Sequence, residues 1–250
     1  MNIAEWHNRY RDQANWTLEA RKFILSEIEL PENIKQIEIG SGTGIILDQT
    51  ELLTGSKCIG LDINWQNLKF NKTNHPTQEL IMADGNINPL NSGCFDLVLC
   101  HYLVLWIKDP VILFNEMKRI TKNGGWICCF AEPDYQGRID FPFEHLKLGQ
   151  EQNLGLLEQG IRLDTGRKLA YWMEKTGLSN IHWGIIGSHQ SLSLSKENKS
   201  KEWAITKNDL SFKFPPEKVL IEEQHYLDIN MDESVISFIP TFYAYAQVVR

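Results

Sequence analysis

Three glycines stand at every second position in the stretch QIEIGSGTG, residues 36–44, directly after a short apolar segment that carries one acid, Glu38. Glycine offers nothing to pack and costs backbone entropy on folding, so Gly40, Gly42 and Gly44 point to positive φ angles or to a ligand pressed against the main chain. A phosphate-cradling loop is excluded, because no Gly-Lys pair follows at the spacing it needs. The dinucleotide fingerprint GxGxxG fits at Gly40 and Gly42 but meets Ile45 at its third position. A ligand without a pyrophosphate remains: a nucleoside with a small charged arm. Asp62 in IGLDI follows about 20 residues later, where a carboxylate can accept from both ribose hydroxyls. Asp84 in MADGN can accept from an exocyclic amine of the base. Singly, an acid at a strand end is more often a cap or a turn residue. In this order, and with the glycines, the two read as a nucleoside site.

Positioning these residues takes a regular alternation of elements. Strands are expected at IKQIEI, KCIGLDI, ELIMAD, FDLVLCHY and WICCFAE, separated by helices from about 44 to 53, 64 to 73 and 110 to 122, the last stopped by NGG. Short apolar strands joined by helical crossovers form a parallel α/β sheet, and a glycine turn after its first strand lies at the carboxyl edge, where such folds bind ligands. Before the sheet, residues 3 to 29 carry Trp6, Tyr10, Trp16, Phe23 and Ile24 at helical spacing, as one broken helix or two short ones. After Pro133 come a loop and an inserted helical segment, a helix from Asp164 to Thr176, and a strand in IHWGIIGSH. A polar helical stretch then spans 195 to 228 with a break at Pro215-Pro216, and ISFIPTFYAYAQVV closes the chain as an aromatic strand.

Five ordered motifs, EIGSGTG, Asp62 in IGLDI, MADGN, FDLVLCHYLVLWIKDP and KRITKNGGWICCFAEPD, make the chain resemble the class I S-adenosylmethionine-dependent methyltransferases over about residues 34 to 135. The resemblance implies a Rossmann-like α/β fold with a seven-stranded sheet, mostly parallel with the last strand antiparallel, together with amino-terminal helices and a helical cap. It implies S-adenosylmethionine as cofactor: Glu38, Gly40, Ser41 and Gly42 at the methionine arm, Asp62 at the ribose, Asp84 with Gly85 at the adenine, Ile63 and Asn86 among the further cofactor-binding residues, and Cys100 with His101 lining the site. The amino-terminal helices resemble a segment that closes over the cofactor, from which Tyr10, Trp16 and Arg21 could reach it. The expected organisation is one domain over 1–250, with a lid at 1–30, a cofactor core at 34–135 and substrate caps at 136–163 and 195–228.

Methyl transfer from a sulfonium is an in-line displacement that needs alignment, exclusion of water and, for a protonated acceptor, a base. His101 is the first candidate for that base, and His189 in GSHQ is the second. Glu132 and Asp134 in FAEPDY, with Asp140 behind them, are expected to hold a cationic acceptor, which leans the reading toward N-methylation of an amine or guanidine-like group. Tyr102, Tyr135 and Phe242 would supply aromatic walls. O-methylation of a hydroxyl or carboxylate stays open, as do a nicotinamide oxidoreductase and a cofactor-binding protein without turnover.

Composition sets the bounds. The chain has 250 residues, 42% hydrophobic and 23% charged, which suffices for one well-buried domain. Its net charge of -7 speaks against nucleic acid and for a small-molecule partner. The five cysteines include no CxxC pair and read as buried thiols in a reducing compartment, the cytoplasm. No run approaches a membrane span, no spacing suits a metal, and the oligomeric state is left open.

Overall fold

The computed structural model describes residues 2–187, 196–228 and 236–250. Helices α1 (Ile3–Trp16) and α2 (Leu18–Glu27) precede strand β1 (Gln36–Ile39). There follow α3 (Ile45–Thr54), β2 (Cys58–Asp62), α4 (Trp65–Asn74), β3 (Leu80–Met82), β4 (Phe95–Cys100), α5 (Pro110–Ile120) and β5 (Thr121–Pro133). The second half contains β6 (Ile139–Phe141), α6 (Phe143–Glu158), α7 (Leu169–Lys175), β7 (Ser179–Ile185), α8 (Lys196–Leu210), α9 (Pro216–Asp228), β8 (Ile236–Phe238) and β9 (Thr241–Gln247). The main sheet has seven strands in the order β3-β2-β1-β4-β5-β9-β7, parallel from β3 to β5, with β9 antiparallel to both of its neighbours. The expected sheet is present, and its order reverses beside β1, so the carboxyl ends of β1 and β4 flank a crevice.

Strand alternation sorts the core into two layers. Ile37, Ile39, Val98, Cys100, Ile127 and Cys129 face Leu113, Phe114 and Met117 of α5 and Leu169 and Met173 of α7. Leu97, Leu99, Trp126, Cys128 and Phe130 face Ala14, Ile24, Ile46 and Leu47 on the side covered by α1, α2 and α3. This parity puts Glu38, between Ile37 and Ile39, on the side of the amino-terminal helices. Caps fix several starts: Asp109 accepts from Val111 N–H with Pro110 in the first turn, and Asn64 accepts from Gln66 and Asn67. A smaller cluster of Leu148, Trp203, Leu210, Val219 and Tyr226 joins α6, α8 and α9. Among the described residues no helix is long and apolar enough to cross a membrane.

Three expectations are corrected. The helix expected from Asp164 begins as a 3-10 turn at Gly166–Lys168, and the α-helix spans only Leu169–Lys175. The closing strand is two strands, because Pro240 cannot donate to a ladder: β8 leaves the main sheet to pair with β6, while β9 stays in it. The NGG at 123–125 lies inside β5, where the register shifts and Gly124 takes φ +81.

The turn after β1 demands glycine at its exit. Gly44 caps α3 with φ +87, and a Cβ there would meet the Asn71 amide at 2.2 Å. Gly55, at the other end of α3, has φ +70 but open space around it. Gly44→Ala is therefore expected to lose about 2 kcal/mol more than Gly55→Ala in urea unfolding, the surplus being the clash.

Candidate functional site

The glycine turn is built on the end of β2. Gly40 and Ser41 donate their N–H groups to Leu61 O at 2.7 and 3.0 Å, and Gly42 donates to Asp62 Oδ2 at 2.7 Å. Asp62 Oδ1 accepts from Asn64 N–H at 2.7 Å, so this carboxylate already orders two loops and still has lone pairs for a ligand. A side chain at Gly42 would meet nothing within 4 Å, which marks open space over the turn. Ser41 Oγ and Glu38 Oε2 are buried beneath it and, among the described residues, have no hydrogen-bond partner. Burial pushes the Glu38 carboxyl well above the usual carboxylate range, against the pull of Arg21.

The amino-terminal helices close over this turn. Arg21 is fully buried and donates to Thr17 Oγ1 at 2.6 Å, to Ala14 O at 2.7 Å and to Gln49 Oε1, while its Nε is unpaired. Burial lowers its pKa to about 10, with Glu38 acting in the opposite direction. Trp16 is half-buried and its indole N–H has no partner. Tyr10 lies near enough to Asp62 that this charge joins burial in raising its pKa. His7 Nδ1 lies 3.0 Å from Thr43 Oγ1, a further tie between α1 and the turn. Thus Tyr10, Trp16 and Arg21 come to the same side of the sheet as Glu38 and Ser41.

Towards the base end the arrangement is more open. Ile63 is exposed, as is Asp84, whose Oδ1 accepts from the N–H and side-chain amide of Asn86 and leaves Oδ2 free. Gly85 packs so close to Ile39 that a Cβ would lie 2.7 Å from its methyl group.

Beyond β4 several expectations change. Cys100 does not line the cleft: it shares the face of Val98, is fully buried, and its Sγ lies 3.4 Å from Cys129 Sγ in the core. His101, of opposite parity, places Nε2 at 2.9 Å from Thr17 Oγ1, between α1 and α2. Burial, aided by Arg21, holds its pKa well below the usual imidazole value, so the ring is neutral at pH 7. Tyr102 takes φ +52, a left-handed conformation rare for an aromatic residue, and its N–H donates to Ala131 O at 2.9 Å.

Glu132 and Asp134 are not free to bind an acceptor. Glu132 is fully buried and accepts from the N–H groups of Leu103, Val104 and Leu105 at 2.8, 2.8 and 3.2 Å, so it caps the 3-10 turn Val104–Trp106. Burial raises its pKa to about 7 although these three donors favour the carboxylate. Asp134 pairs with Arg167 and accepts from Gly137 N–H, and Asp140 pairs with Arg138. Tyr102 and Tyr135 pack together with Leu105, Leu156 and Ile161. Phe242 leans on the core and on Trp183, with 6.2 Å between ring centroids. His189 lies outside the described residues. Thr17 escaped the sequence reading, although its place four residues before Arg21, on the same helix face, was a signal.

His101 and Glu132 act on stability in opposite senses. For His101 the unfolded chain titrates near 6.5 and the folded chain well below it, so its stabilising contribution is complete above pH 6.5 and is lost as pH falls. For Glu132 the folded chain binds the proton first, so stability is gained as pH falls from about 7 towards 4.5. Relative to His101→Asn, the wild type is expected to lose urea stability steadily between pH 7 and 5. A constant difference across that range would contradict the neutral, buried assignment.

A family profile described as a methyltransferase domain matches residues 37–129. An uncharacterized methyltransferase of Schizosaccharomyces pombe is 34% identical over 99 residues; the match covers 38% of this chain and spans only 34% of that protein's length. A demethylmenaquinone methyltransferase of Streptomyces griseus is 26% identical over 189 residues, 68% of this chain and 82% of that protein. The solved geranyl diphosphate C-methyltransferase of Streptomyces coelicolor, in complex with Mg2+, geranyl diphosphate and S-adenosyl-L-homocysteine, shares the fold with a TM-score of 0.56 at 13% identity. That likeness covers 92% of this chain and 79% of that one. The matched domain, the methyltransferase relatives and the sheet order agree in supporting a class I S-adenosylmethionine-dependent methyltransferase.

Proposed function

We propose that the protein transfers a methyl group from S-adenosylmethionine to a small-molecule acceptor enclosed between the sheet edge, the amino-terminal lid and the helical cap. The observation that carries this reading is the set of buried polar atoms left unpaired around the glycine turn: Glu38 Oε2, Ser41 Oγ and Arg21 Nε. Buried groups of this kind are costly unless a partner arrives. An amino-acid arm fits them, its ammonium at Glu38 and its carboxylate at Arg21, with the Gly40–Gly42 backbone leaving room for its stem. Asp62 would hold the ribose, and Asp84 with Ile63, Gly85 and Asn86 the adenine. Tyr10 and Trp16 would lie against the sulfonium, and their aromatic faces would stabilise it.

When bound, the cofactor supplies a methyl carbon made electrophilic by the sulfonium. The remaining work falls to the chain: the lid excludes water, Tyr102 and Tyr135 orient the acceptor, and neutral His101 takes up its proton. In this division the lid is 1–30, the core 34–135 and the caps 136–163 and 195–228. Arg9 of the first helix pairs with Glu202 of α8 at 3.2 Å, a tie between the proposed lid and cap.

The lean toward a cationic amine or guanidine rested on Glu132, Asp134 and Asp140, and all three carboxylates have internal partners. An uncharged acceptor, a hydroxyl above all, is the reading this favours, because a desolvated site without a free carboxylate disfavours a cation. Calorimetric titration tests the cofactor assignment: S-adenosylhomocysteine is expected to bind one to one, and Asp62→Ala to weaken it by about tenfold or more. Binding of NAD in place of S-adenosylhomocysteine would overturn it.

A further inference from the structure

We propose that Thr17 is a positioning residue for His101: it holds the imidazole as the Nε2–H tautomer, so that Nδ1 is the proton acceptor, and it ties this orientation to Arg21. The inference rests on the reading of His101 as the base for methyl transfer and adds to it a residue on the lid and a choice of nitrogen.

The argument is a proton count. Thr17 is fully buried at the junction of α1 and α2. Four groups surround its Oγ1: Gln13 O at 2.9 Å, Ala14 O at 3.3 Å, Arg21 Nη1 at 2.6 Å and His101 Nε2 at 2.9 Å. A hydroxyl has one proton to give and two lone pairs to receive. The two carbonyl oxygens can only accept and the guanidinium can only donate. If the hydroxyl proton went to His101, both carbonyls would face a lone pair at hydrogen-bonding distance. Sent instead to Gln13 O, the common back-bond of a threonine to the residue four before it, the proton leaves one lone pair for Arg21 and one for His101. His101 Nε2 must then be the donor.

The rest of the ring's surroundings agree. Among the described residues nothing bonds His101 Nδ1. The Tyr102 ring packs on the imidazole with centroids 4.8 Å apart, which restricts its rotation. Because Arg21 and His101 share one oxygen, and because Thr17 and Arg21 lie one turn apart on α2, docking of the lid and orientation of the base are one event. A carboxylate drawn to Arg21 would secure the same helix that holds His101.

The test is a long-range proton–nitrogen correlation on the full-length, 15N-labelled protein at pH 7.5, with His101→Asn to assign the signals. The expected result is an Nε2–H ring in the wild type, loss of that preference in Thr17→Val, and its return in Thr17→Ser. An Nδ1–H ring in the wild type, or an unchanged tautomer in Thr17→Val, would overturn the proposal. The wild-type tautomer and Thr17→Ser decide the matter even where Thr17→Val fails to fold. Titration with S-adenosylhomocysteine separates the two readings: failure of the wild type to bind it would end the methyltransferase reading and leave the tautomer measurement standing.

Discussion

Everything at this site turns on two charges that the fold buries without completing. Glu38 lies in the first strand, almost wholly excluded from solvent, and one of its carboxyl oxygens has no partner. Arg21, on the opposing helix, is fully buried with its Nε unpaired. Their mutual attraction only offsets the desolvation of each, since the carboxyl titrates far above its usual range and the guanidinium below its own. An arrangement of this kind is poor for stability and good for a ligand that brings one charge of each sign. On the proposed reading the glycine turn has a physical purpose: its backbone would leave the space in which such a ligand reaches both groups.

The same logic governs the loop after β4. Three consecutive amides, those of Leu103, Val104 and Leu105, point at Glu132, directly after Tyr102 in its left-handed conformation. A residue that looks from its position like an acceptor ligand is instead a brace for the loop after β4. Asp134 and Asp140 are likewise internal braces, each with its own arginine. Tyr102 packs on the neutral His101 imidazole and, with Tyr135, beside Leu105, Leu156 and Ile161.

Much of this was legible in the chain, and the misreadings have definite causes. The alternation of Ile37, Glu38 and Ile39 already put Glu38 on the face opposite the α5 layer, and the spacing of Gly42 and Asp62 placed a carboxylate under the turn, where Gly42 N–H now meets it. Alternation also placed Cys100 with Val98 in the core, a rule that the expectation of a cleft-lining thiol set aside. Glu132 was misread because position at a strand end tells where a carboxylate is and not what satisfies it. Its partners are main-chain amides 27 to 29 residues away. The Asp134–Arg167 pair spans 33 residues and depends on how the 3-10 turn at Gly166 packs, which no local pattern reveals. Pro240 was a visible signal, and it divides the last strand as its missing N–H requires.

The central claim, that an amino-acid arm completes the buried pair, has a direct measurement. Burial holds the Glu38 carboxyl well above its usual range, so a cation arriving beside it lowers that pKa and favours release of its proton. Titration calorimetry with S-adenosylhomocysteine at pH 7, repeated in buffers of different ionisation enthalpy, counts that proton. The account predicts proton release on binding by the wild type and none by Glu38→Gln. Binding with the same proton count in both proteins would contradict it.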